Sequence, residues 1–241
     1  MSNAADVSKS PGRISAMFDA IAPRYDFLNH VLSAGIDRYW RMRAIRSLRL
    51  TGRERVLDVC TGTADLAIAA RTATPGAARV VGVDFAGAML GIGREKLMRA
   101  GLADAVTLVR GDATRIPAAD ASVDAVTVAF GIRNVDDVPA ACREMRRVLK
   151  RGGALAILEF AIPTMPIVRT GYLMYFRHIL PAIGRLVSRH SAAYGYLPDS
   201  VGTFATPDQL METLRASGFV DVAAVRMTFG IVFLYTARRG A

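Results

Sequence analysis

Five short apolar runs, at residues 55–60, 79–84, 106–110, 125–130 and 154–160, do most to limit what this chain can become. Rich in Val, Leu, Ile and Ala on both sides, they have the pattern of strands buried on both faces of a parallel sheet. Helix-like segments at 65–72, 88–100 and 138–149 separate them. In the last, Val138, Ala141, Met145, Val148 and Leu149 share one face, Asp136 or Asp137 stands as cap, and Gly152-Gly153 follows. Strand and helix alternating over about 100 residues predict an α/β, doubly wound Rossmann-like sheet.

The flanks read differently. Residues 1–12 are a polar tail, expected to be disordered, and 13–50 carry helical spacing through Met17, Ile21, Tyr25, Leu28 and Leu32, then Trp40, Ile45 and Leu48. An apolar and basic stretch at 161–205 follows the fifth run, where an insertion overhangs the carboxyl ends of the strands. Thr206-Pro207-Asp208-Gln209 is a capping box with proline in the first turn, and Gly218 closes that helix. Residues 219–227 and 229–238 read as two strands joined by a tight turn. On this reading 13–241 is a single domain: a helical lid (13–50), a cofactor-binding core (51–160), a substrate- and membrane-facing insertion (161–205) and a closing helix and hairpin (206–241). Five parallel strands with an antiparallel edge resemble the seven-stranded sheet of class I methyltransferases.

Composition excludes several classes. With 52% apolar residues among 241, disorder as the main state is ruled out. Cys60 and Cys142 are too few for a disulfide framework or a cysteine-rich zinc site, and His30, His178 and His190 are too scattered for a metal cluster. No apolar run approaches the roughly 20 residues of a spanning helix, and the start lacks the apolar core of a signal peptide. The expectation is a cytoplasmic protein without a metal. A net charge of +10 fits nucleic acid, an anionic membrane face or acidic partners, and does not choose among them.

Ligands of open α/β sheets bind beyond the strand carboxyl ends. The first run leads into Asp58-Val59-Cys60-Thr61-Gly62-Thr63-Ala64-Asp65, a poor match to a dinucleotide fingerprint because Gly62 alone remains. Asp58 and Asp65 bracket that loop, where they would repel a diphosphate and suit a ligand with ammonium and sulfonium groups. Asp84 ends the second run, 22 residues after Gly62, placed to accept both hydroxyls of a ribose. Asp112 follows the third run; its carboxylate suits adenine N6 while the Ala113 N–H suits N1, with Phe85 or Met89 over the ring. Acidic residues at three successive strand ends favour S-adenosylmethionine over a nicotinamide cofactor.

Tyr25-Asp26-Phe27-Leu28-Asn29-His30-Val31-Leu32-Ser33, with Asp37 and Trp40 beyond, resembles the N-terminal signature of the UbiE family of ubiquinone/menaquinone C-methyltransferases. Phe130-Gly131-Ile132-Arg133-Asn134-Val135, Arg147-Val148-Leu149-Lys150-Arg151-Gly152-Gly153, Leu158-Glu159-Phe160 and the segment from Tyr194 to Val201 are similar to further family segments. The resemblance covers about residues 14–238. Asp37 stands where the family usually has His, Leu28 replaces Met, Ala129 stands where some members have Ser, and Arg151 replaces a common Pro. The resemblance implies cofactor contacts at Thr63, Asp84, Asp112 and Ala113, and transfer of a methyl group to a ring carbon of a polyprenylated hydroquinone.

For that reaction Arg133 is expected to face the cofactor mouth and steady a phenolate, and Asn134 to hydrogen-bond a ring oxygen. Asp26 or a water is expected to take the proton, since a guanidinium does not. Tyr25, Asn29 and Tyr196 are expected beside the substrate, with Glu159 orienting Arg133. Leu173, Met174, Phe176, Ile179, Leu180, Ile183 and Leu186, interleaved with Arg177, Arg185 and Arg189, suggest peripheral association with the inner face of a membrane. No nucleic-acid recognition motif stands out, and a homodimer is left open. The favoured acceptor is demethylmenaquinol, with a 2-polyprenyl-6-methoxy-1,4-benzoquinol as the alternative; the competing readings are a methyltransferase for a soluble small molecule or tRNA, and a non-catalytic scaffold.

Overall fold

The computed structural model describes residues 12, 14, 17–19, 22, 26, 33, 35–73, 79–175 and 200–241. Its described strands are β1 (Arg55–Val59), β2 (Arg79–Asp84), β3 (Val106–Arg110), β4 (Val123–Ala129), β5 (Leu149–Phe160), β6 (Phe219–Met227) and β7 (Val232–Arg239). Helices α1 (Asp37–Ser47), α2 (Asp65–Ala73), α3 (Gly87–Arg99), α4 (Val138–Val148), α5 (Pro166–Met174) and α6 (Pro207–Ala216) accompany them. The seven strands form one sheet in the order β3-β2-β1-β4-β5-β7-β6. β1 to β5 are mutually parallel where they pair, while β7 lies antiparallel between β5 and β6.

Alternation along the strands explains why every run is apolar on both sides. Val56, Ala125, Ala156 and Leu158 face a core shared with Trp40, Leu66 and Leu90, whereas Leu57, Val126, Leu155 and Ile157 face one built with Met145, Leu210 and Leu214. Helices α1 to α3 thus cover one face, and α4 and α6 the other. β2 lies on one flank of β1 and β4 on the other, so the order of the strands reverses there and leaves a crevice beyond their carboxyl ends.

Local signals act as the residue types dictate. The Asp137 carboxylate caps α4 by accepting from the Ala140 N–H. Thr206 and Gln209 close a reciprocal capping box at α6. Two details differ from the sequence reading. Gly152-Gly153 lies inside β5, at an irregularity opposite Val123–Ala125, because β5 begins directly after α4 and must absorb extra residues. The β6–β7 connection is a three-residue turn, Thr228–Gly230, and Phe229 belongs to that turn in a left-handed conformation (φ 57°) instead of to the strand.

Candidate active site

A cavity of about 380 Å³ opens at the carboxyl ends of β1, β2, β3 and β4. Gly62, Asp84, Phe85, Met89, Asp112, Ala113, Ala129 and Asn134 all line it, together with Phe18, Cys60, Phe130, Asp136 and Asp137. Among the described lining residues there are four aspartates and no lysine or arginine. On a chain of net charge +10 this is a local reversal of sign. Carboxylates in a partly desolvated crevice favour a cationic ligand and oppose a diphosphate.

Asp84 organises the floor. Its carboxylate accepts from the Gly62 N–H (2.8 Å) and the Ala86 N–H (2.9 Å), so the glycine loop after β1 and the start of α3 are tied to the end of β2. Burial raises the Asp84 pKa above its ordinary range, opposed by those backbone donors. Asp112 is exposed at the rim and accepts from the N–H and hydroxyl of Thr114. Met89, 2% exposed, and Phe85 supply the apolar wall on which an aromatic base can lie.

Backbone strain collects at the same place. Cys60 (φ 54°), Ala64 (φ 69°) and Phe130 (φ 58°) hold left-handed conformations without being glycine, each adjoining the loop after β1 or the end of β4. At Gly131 an added Cβ would stand 2.3 Å from the Cys60 Cβ, which is why the β4 loop needs glycine to close on the β1 loop. Burial pushes the Cys60 thiol well above its ordinary range, so it stays protonated.

Asp58 and Asp65 take up other work. Asp58 is fully buried and accepts from the hydroxyls of Thr61 (2.6 Å) and Thr127 (2.7 Å). Asp65 is paired with Lys96 and with Arg41 (3.3 Å), which offset its charge. The repulsion of a diphosphate expected from these two residues is therefore carried by the four aspartates of the mouth. Asp58, Thr63, Asp65 and Arg41 line a small polar recess that shares Cys60, Gly62, Ala129 and Phe130 with the main cavity.

Burial raises the Asp58 carboxyl from 3.8 to about 6, so the folded state holds that proton more tightly than the unfolded chain. Its contribution to stability is present at low pH and is lost as pH rises from about 4 to about 6, by roughly 3 kcal/mol in total. Replacing Asp58 with asparagine is expected to flatten that decline, measured as urea midpoints across the window. An unchanged slope would contradict it.

Asp26 sits beside this recess, accepting from the Thr63 hydroxyl and from Lys96 Nζ (2.7 Å). It does not line the main cavity, so the expectation that it takes a ring proton is not met by its position. Arg133 also departs from expectation. Its guanidinium donates to Glu159 (2.8 Å), to the Phe130 carbonyl and to the Ser200 hydroxyl (3.3 Å), and lies 5.6 Å over the Phe160 ring. At 4% exposure it turns into the protein beside a fully buried Glu159, because that carboxylate needs a buried cation. Neither residue lines the cavity; Asn134, the last residue of the same short turn, does. Tyr25, Asn29 and Tyr196 lie outside the described residues, as do Arg177, Arg185 and Arg189.

Arg41 and Lys96 are the residues that sequence reasoning missed. Arg41 follows Trp40 in a helical pattern that reads as packing, and Lys96 lies in an ordinary amphipathic helix. Only the acidic excess of the loop they approach hints at a need for counter-charge. Trp40 itself is buried, edge-on to Phe130 and Phe160, and its indole N–H donates to the Thr228 hydroxyl (2.8 Å).

Strand order, crevice position and the acidic mouth together define a class I, S-adenosylmethionine-dependent methyltransferase. Solved structures agree on the fold: the [4+2]-cyclase SpnF superposes with a TM-score of 0.71 at 18% identity, covering 96% of this chain and 97% of that one. An S-adenosylmethionine-dependent methyltransferase from Aquifex aeolicus gives 0.63 at 18% identity, covering 95% and 98%. The chain belongs to the ubiE/COQ5 methyltransferase family, whose profile matches residues 6–239. A Geobacter sp. (strain M21) relative, the ubiquinone/menaquinone biosynthesis C-methyltransferase UbiE, is 45% identical over 97% of this chain and 99% of its own length. The demethylmenaquinone methyltransferase of Bacteroides fragilis is 40% identical over 96% and 94%.

Proposed function

We propose that this chain methylates a ring carbon of a polyprenylated hydroquinone, with demethylmenaquinol as the favoured acceptor and a polyprenyl benzoquinol as the alternative. The observation that carries this is the agreement between the names of full-length relatives and the cavity: anionic at the donor end and walled by Phe18, Met89, Phe130 and Ala129. When bound, S-adenosylmethionine supplies a methyl group already activated by its positive sulfur. Asp84 would hold the ribose hydroxyls, Asp112 and the Ala113 N–H the adenine edge, and Phe85 and Met89 its faces. Thr63, Gly62 and Arg41 would hold the amino-acid end in the polar recess.

The chain's own contribution is alignment, sign of charge and exclusion of water. Asn134 orients the acceptor by hydrogen bonding to a ring oxygen. Arg133 is a positioning residue in this reading: with Glu159 it pins the turn Ile132–Asn134, because both its backbone N–H and its guanidinium donate to that carboxylate. Asp26 is engaged with Thr63 and Lys96, which leaves water to take the ring proton. A transfer assay with the two reduced quinones tests the function. A mass gain of one methyl on demethylmenaquinol is expected, and no gain on either ring would overturn the proposal.

A further inference from the structure

We infer that the rim formed by the β6–β7 turn and α5 is a bilayer-docking face, seated on the surface of an anionic phospholipid membrane. Because β7 runs antiparallel to β5 with Phe160 opposite Val232, the β6–β7 turn lies at the carboxyl end of the parallel strands, the end that carries the cavity. The segment leaving β5 is joined to it. The Ala161 N–H donates to the Ile231 carbonyl (3.0 Å), and Pro163 passes within 3.9 Å of where a side chain at Gly230 would begin.

This corner displays apolar side chains that nothing in the fold requires outside. Phe229 is 67% exposed at the tip of the turn, Ile167 is 88% exposed on α5, and Ile162 and Met165 are exposed between β5 and α5. Only Tyr172 of α5 is buried. Phe229 and Thr228 both take left-handed conformations, so the backbone is strained in presenting a large ring to solvent. Strain and exposure on one residue are retained together where another surface receives it.

Charge chooses the occupant. Arg169, two residues after Ile167 on α5, and Arg226 at the end of β6, whose side chain passes 3.2 Å from where one at Gly230 would begin, are both exposed. From Ala161 to Tyr175 the sequence has Arg169 and no aspartate or glutamate. Exposed apolar side chains accompanied by Arg169 and Arg226 match a bilayer with anionic headgroups better than another protein surface. The inference rests on the quinol reading in one respect: an acceptor with an isoprenoid tail resides in the bilayer, so docking this rim brings the cavity mouth to its source. Among the described residues no helix is long and apolar enough to cross a membrane.

The test uses the full chain and vesicles of phosphatidylglycerol and phosphatidylcholine in equal parts, with pure phosphatidylcholine as comparison. Wild type is expected to co-sediment with the anionic vesicles. Ile167→Asp and Phe229→Asp are each expected to weaken partitioning about tenfold or more. Arg169→Glu with Arg226→Glu should lose mainly the preference for anionic lipid. Met98→Asp, an exposed position in the last turn of α3 at the opposite end of the sheet, should match wild type. The proposal fails if wild type ignores the vesicles or if Ile167→Asp and Phe229→Asp partition like wild type. It also fails if, without lipid, wild type sediments as a dimer that these two changes dissolve, since the face would then be an interface between copies. Methyl transfer to a water-soluble, tail-less quinol is measured in parallel. Its absence in wild type would defeat the quinol reading while the vesicle comparison still judges the face.

Discussion

Replacing Asp84 with asparagine is expected to weaken S-adenosylmethionine binding at least about a hundredfold, read by calorimetry. The carboxylate stands at the end of β2 in the mouth, and its bonds to the Gly62 and Ala86 N–H groups hold the loop after β1 and the start of α3 in register. Asparagine keeps the shape but turns one acceptor into a donor, so at least one of those N–H groups faces an N–H. Loss of charge-assisted bonds to two ribose hydroxyls, at roughly 1.5–3 kcal/mol each, accounts for the fall. Circular dichroism should show the fold retained, because Asp84 itself belongs to neither apolar core and asparagine matches its size. An affinity within a few-fold of wild type would remove Asp84 from the cofactor site.

The second large effect concerns Arg133. Substitution by methionine leaves the Glu159 carboxylate, 0% exposed, without its cation. Breaking a buried pair in this one-sided way costs roughly 3–5 kcal/mol. For a chain of this size that lowers Tm by about 10 °C. Changing both residues, Arg133→Met with Glu159→Leu, should recover most of the loss, since no stranded charge then remains. The kinetics separate positioning from contact with the ring. Below its melting range, the double variant should bind S-adenosylmethionine normally while kcat falls, as the turn carrying Asn134 loosens. A single variant that melts within a degree or two of wild type would show that the pair does not hold the turn.

The features legible in the sequence were those written locally. The central strands β1, β2 and β4 announced themselves because a segment buried on both faces must be apolar on both, and the Thr206–Gln209 box spans only four residues. The mouth was legible for a related reason: a residue at a strand's carboxyl end is near the crevice whatever else the chain does. What escaped were pairings over long separations. The direction of the Arg133 side chain is set by Glu159 and Ser200, 26 and 67 residues away. The charge of Asp65 is offset by Lys96, 31 residues on, and no local pattern marks that lysine. Phe229 reads as strand from its side chain, yet the reversal into β7 needs a left-handed residue there.

The position of β7 bears on how the protein is made. β7 follows β6 in the chain yet is inserted between β5 and β6. Until β7 emerges from the ribosome, β5 has an open edge, β6 lacks the β7 pairing, and the Thr228 hydroxyl that meets Trp40 across 188 residues is not held in place. From the synthesis of β5 to that of β7 the nascent chain therefore carries a bare, apolar sheet edge, and deletion of β7 would leave it so permanently.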